Sequence, residues 1–176
     1  MKRILSTITM LLFIAIFVAA LYVLPKRISL SLTGVEYQLG QGETVIHPVS
    51  LQIHGRLHGT WTGQRTFVGT ISIEGARIPN PDNHHRLVIH FRPDGEGPMT
   101  YAYLDNGKPV TRTYGMMFAS HNFRTLTIEE FSPQGKHKGW NSRNGFIISA
   151  PAQNRTEALR ISNLLMKDTL HGFTLH

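Results

Sequence analysis

The sequence predicts a mainly β (α+β) protein: an antiparallel β sandwich or open barrel with a C-terminal amphipathic helix, preceded by an N-terminal transmembrane helix. Three observations carry this prediction. Residues 4–24 form an uncharged apolar run, residues 28–150 alternate apolar and polar side chains with period two, and the period becomes helical after Asn154. The division is therefore 1–27 for a membrane anchor and 28–176 for an extracytoplasmic β-rich domain, with its helix at about 154–169.

The first element, ILSTITMLLFIAIFVAALYVL, is bracketed by Lys2/Arg3 and Lys26/Arg27. At about 1.5 Å per residue its length matches a hydrocarbon core of roughly 30 Å. Three readings are open. In an uncleaved signal anchor, Tyr22 lies at the interface, Pro25 ends the helix and Lys26/Arg27 snorkel to the headgroups. In a cleaved signal peptide, Val18-Ala19-Ala20 supplies the small residues, although the apolar run continues to Leu24. In the inverted orientation the domain is cytosolic. The anchor reading is adopted, with the flanking cations favouring export by a small margin.

The strands follow. Val49, Leu51, Ile53, Leu57 and Trp61 share one parity, with Ser50, Gln52, His54, Arg56, His58 and Thr60 on the other. This predicts one long half-buried strand, or two joined by a kink at Gly55 or Gly59. Phe67, Ile71 and Ile73 alternate next, then Leu87, Ile89 and Phe91, then Leu126 and Ile128. Upstream, Ile28, Leu30 and Leu32 are even while Val35, Tyr37 and Leu39 are odd, which predicts a bulge or bend at Gly34. Asp105-Asn106-Gly107 predicts a tight hairpin between 99–104 and 109–118, because Asn-Gly tolerates positive φ. Pro93-Asp94-Gly95 predicts another turn, 77–86 and 132–145 are long polar loops, and 146–150 is the last strand.

Asn154-Arg155-Thr156-Glu157 has the spacing of a helix cap with an acidic N3 residue. It also matches a glycosylation acceptor, though capping is the preferred reading. Ala158, Ile161, Leu164 and Leu165 then recur at helical spacing, predicting one helix over 155–169 that packs on the sheet.

Composition narrows the chemistry. The chain has 18 Lys and Arg, 11 Asp and Glu, and no cysteine, which excludes disulfides and thiolate metal sites. Setting aside Lys2, Arg3, Lys26 and Arg27 leaves 14 basic residues against 11 acidic ones, too even for a nucleic-acid footprint. His54 and His58 resemble a ligand pair, but four residues along a strand span about 13 Å, too far for one ion. With Arg56 they form instead a partly cationic stripe. Asp82 with His84-His85 is a trio a loop can fold together, but adjacent histidines in a polar loop read first as exposed. Glu129 and Glu130 point to opposite faces of a strand, and Ser120-His121 lacks an orienting acid. No metal, cofactor or catalytic set is expected.

Gly59-Thr60-Trp61 resembles the Gly-x-Trp signature of lipocalins over three residues. That resemblance implies a barrel of about this size with a C-terminal helix, carrying a small apolar ligand in a cavity with Trp61 near its floor. The primary expectation is different: a non-catalytic binding or accessory module at the cell-envelope face, not an enzyme. Its partner would be an envelope protein, or an anionic polymer or headgroup. Its expected binding loop is 132–145, where Lys136, Lys138 and Arg143 surround Trp140 without an acid. The alternative for that loop is that Trp140 tucks into the core.

Overall fold

The computed structural model describes residues 9–14, 24–40, 46–77, 86–131 and 139–176. Eight antiparallel strands form a closed barrel in sequential order: β1 (Lys26–Gln38), β2 (Ile46–Gly59), β3 (Arg65–Glu74), β4 (Leu87–Phe91), β5 (Glu96–Asp105), β6 (Lys108–Ala119), β7 (Leu126–Glu130) and β8 (Phe146–Ala150). Two helices follow, α1 (Arg155–Leu165) and α2 (Lys167–Leu170). The expected sandwich or open barrel is thus corrected to a closed one. Val35 to Gln38 of β1 pair with Phe146 to Ser149 of β8, and this closure removes the sheet edges.

Alternation places one parity of each strand inside the barrel. Leu51, Ile53, Phe67, Leu87, Ile89, Met99, Met117 and Ile128 fill the interior and are fully buried. A second core lies on the outer wall, where α1 covers Val35, Tyr37, Phe118 and Ile147 with Ala158 and Ile161. That covering helix explains the parity change in β1. The register with β2 runs without a shift from Lys26↔Leu57 to Tyr37↔Ile46, so no bulge occurs at Gly34. The first half of β1 is apolar towards the interior. Its second half is apolar towards the helix, because both of its faces are covered there.

Nor does β2 kink at Gly55, which stays in register with Gly69; a side chain there would meet the Phe67 ring. The irregularity lies in β6 instead. Met99 pairs with Gly115 and Thr100 with Thr113, so Tyr114 is the extra, bulged residue. The Asn106-Gly107 turn forms as expected, with φ of 49° and 76°. Asn154 caps α1 by accepting from Glu157 N–H at 2.9 Å, while the Glu157 carboxylate reaches back to Gln153 N–H. Where one helix over 155–169 is expected, α1 stops at Leu165 and the short α2 continues the chain.

The up-and-down order sends alternate connections to opposite ends. Those at 60–64, 92–95 and 120–125 are short turns at one end. Those at 39–45, 75–86 and 131–145 leave the opposite end, along with the Asn-Gly hairpin. Of the apolar run at 4–24, only residues 9–14 and 24 are among those described; 9–14 is helical, with Met10 to Ile14 exposed. Among the described residues no helix is long and apolar enough to cross a membrane.

Candidate functional site

The short-turn end is a closed plug. Phe123, from the turn after β6, enters the barrel mouth, stacking on Phe67 at 5.5 Å and meeting Phe91 edge-on at 5.3 Å. Its φ of 60° is unusual for a bulky residue, and three-ring packing offsets the strain of roughly 1–2 kcal/mol. Beside it Arg65 is buried, donating to the carbonyls of Ser120 at 3.0 Å and Ala119 at 3.1 Å and lying over Phe91. Burial lowers its pKa, and no carboxylate among the described residues pairs with it.

On the outside of this end the turn between β2 and β3 holds Trp61 out to solvent. Thr60 N–H donates to Gln64 O at 2.9 Å and Gly63 N–H to Thr60 O at 3.1 Å, so the turn is fixed while the indole at its tip is 75 % exposed. Leu24 and Lys26 lie at the same end, lining a small pocket with Leu57, Arg65 and His121. No carboxylate lines this pocket, so His121 finds no acid partner there.

The adjoining outer wall is cationic. Register puts Arg27 of β1 directly opposite Arg56 of β2, with His54 opposite Ser29 one row away and hydrogen-bonded to it at 3.2 Å. Thr66 pairs with His58 on one side and with His90 on the other. Arg27, Ser29, Arg56, His58 and Arg86 line one open cleft together with Val68 and the strand at Ile28 and Gly55. Like charges placed directly across a strand pair normally destabilise it. Among the described residues none of these arginines forms an ion pair; the two bridges found both belong to Arg92. The cationic stripe expected from His54, Arg56 and His58 therefore exists, and is widened by Arg27, Arg86 and His90.

The opposite end buries acids. Glu36 of β1 and Glu130 of β7 are both inside the barrel, with Glu36 fully buried. The Tyr114 hydroxyl donates to Glu130 Oε1 at 2.6 Å, an approach produced by the β6 bulge. Arg77 N–H donates to Glu36 Oε2 at 3.0 Å, while its guanidinium lies 4.1 Å from the Phe146 ring. The remaining oxygens, Glu36 Oε1 and Glu130 Oε2, meet no other described donor. The two carboxyls contact one another, and a single proton held by Glu130 and donated to Glu36 satisfies both. Burial first, then the Glu36 charge, pushes Glu130 up to about 8. Glu129, on the face opposite Glu130 as expected, is raised to about 7 by burial and by Glu96.

The residues singled out in the 132–145 loop separate. Lys136 and Lys138 lie outside the described residues, as do Asp82, His84 and His85. Trp140 is half-buried against the helix-side core, and its N–H donates to Phe146 O at 3.2 Å. Arg143 is exposed in the turn that follows, its N–H donating to Asn141 Oδ1. Trp140 thus follows the inward alternative. Trp61 does not mark the floor of a cavity, since it projects outward beyond β2 while the interior below is filled with side chains. Glu36 and Glu130 were not singled out from the sequence as a pair. Their signal was parity: Glu36 falls in phase with Ile28, Leu30 and Leu32, and Glu130 with Leu126 and Ile128.

No family model matches the chain, and neither the curated proteins nor the solved structures contain a match.

Proposed function

We propose that this protein is a membrane-anchored, non-catalytic binding module, held with its short-turn end against the bilayer and its long-connection end outward. The observation that carries this reading is the place where the apolar run joins the barrel. Leu24 and Lys26 lie at the short-turn end, and the exposed Trp61 stands at the same end. An indole with a wet edge and an apolar body suits the headgroup layer. Arg56 is three residues from the end of β2, roughly 10 Å at strand rise, so the cationic wall lies within about a Debye length of the lipid surface. The occupant of that wall is the anionic bilayer face. The acid pair, buried inside the barrel, suits structure better than turnover.

Two measurements test the reading. The full chain should stay in the membrane pellet after alkaline carbonate extraction; release into the supernatant overturns the anchor. Because the chain has no cysteine, Asn106→Cys in the exposed hairpin gives a single label site. Reaction with an impermeant maleimide in intact spheroplasts supports export, and reaction only after lysis overturns it.

A further inference from the structure

We propose that the outer-wall cleft between β1, β2 and β3 is a phosphoryl-binding site, with Arg27 and Arg56 as its clamp and Arg86, His58 and Ser29 around it. The inference deepens the reading of the barrel as an anionic-surface module, and rests on it only for where the phosphoryl group comes from. Three observations converge. The register fixes Arg27 directly across from Arg56, so their Cβ atoms are held about 5 Å apart whatever the side chains do. Both residues, with Arg86, are exposed and line one open cleft. No acid lines that cleft, and none of the described carboxylates neutralises any of the three arginines.

An arrangement that places two like charges opposite each other costs stability unless an anion lies between them. A phosphoryl group fits best. It carries −1 to −2 charge and several acceptor oxygens, which two planar guanidinium forks can engage at once, whereas a single carboxylate satisfies one fork. The Ser29 hydroxyl and the His58 ring add hydrogen-bonding groups at the rim. The Val68 side chain, paired with Arg56 on the same outer face, gives an apolar contact that suits the glycerol or sugar carbons adjoining a phosphodiester. A lipid headgroup and a phosphate-bearing polymer share this chemistry.

The test uses the full chain in a phosphate-free maltoside detergent, titrated with inorganic phosphate and followed by ³¹P line broadening. Saturable binding in the millimolar range is expected, weakened at least fivefold by Arg27→Gln or Arg56→Gln and unchanged by Arg112→Gln, an exposed arginine on β6. Thermal midpoints of Arg27→Gln and Arg56→Gln should equal or exceed that of the parent, so that lost binding is not lost folding. Absence of saturable binding overturns the site, and so does equal weakening by Arg112→Gln, which would mean diffuse charge. Two further arms identify the source by competition in the same detergent. Displacement of bound phosphate by short-chain phosphatidylglycerol in the micelles assigns the lipid headgroup, and displacement only by soluble polyglycerol phosphate assigns the polymer. Trp61→Ala should leave phosphate binding intact, so failure of the membrane reading is distinguishable from failure of the clamp.

Discussion

At its short-turn end the barrel buries a cation, Arg65, on two backbone carbonyls beside the rings of Phe67, Phe91 and Phe123. At its other end it buries two carboxyls, Glu36 and Glu130, under a tyrosine and a backbone N–H. The cation is always charged and is satisfied by dipoles, so this end holds together at any pH where the chain folds. The acids are satisfied only while they share a proton, so their end depends on pH. One closed barrel therefore combines a permanent plug, placed where the 4–24 run joins β1, with a titratable closure at the opposite end.

The contrast can be broken at either end. The largest effect is expected at the plug. Phe123→Ala removes a fully buried ring but keeps the positive φ, and should cost about 3–4 kcal/mol in urea unfolding, with no change in the pH profile. At the acid end the prediction is a slope. Glu130 at about 8 and Glu129 at about 7 both lie above the ordinary 4.5, so the folded chain binds more protons between those values. Stability is then fullest below about pH 4.5 and falls as pH rises to about 8. Glu130→Gln mimics the protonated acid, accepting from Tyr114 and donating to Glu36, and should remove more than half of that slope. A stability that rises from pH 5 to 8 would show that the pair does not hold its proton. Arg77→Ala is the smallest change. Loss of its contact with Phe146 should cost about 0.5–1 kcal/mol. Because the Arg77 charge lowers Glu130, its removal should also move the upper limb of the profile to higher pH.

Much of the fold was legible because it is local. Alternation located the long strands, Asn106-Gly107 marked the hairpin by its need for positive φ, and Asn154 marked the helix start. Closure was not legible, since pairing of β1 with β8 joins segments more than a hundred residues apart. The parity change at Gly34 resembles a backbone fault because sequence shows which residues are apolar, not what covers them. The true bulge, at Tyr114, shows only in the register between β5 and β6, beside Gly115, where a Cβ would collide with Glu129 O. The same limit hid the site. His54, Arg56 and His58 were visible as a stripe, but Arg27 opposite Arg56 exists only once β1 is registered on β2. The glutamates were legible singly, as acids at apolar-phase positions, and not as a pair across the barrel.

The orientation of the two ends is most directly tested by the depth of Trp61. In a Trp140→Phe background Trp61 is the sole tryptophan, and its emission can be followed in phosphatidylglycerol vesicles carrying bromine at graded acyl positions. The account predicts a blue shift, with quenching strongest from bromines nearest the headgroups and fading with depth. Emission that stays at the wavelength of a water-exposed indole, unquenched at every bromine position, would contradict it.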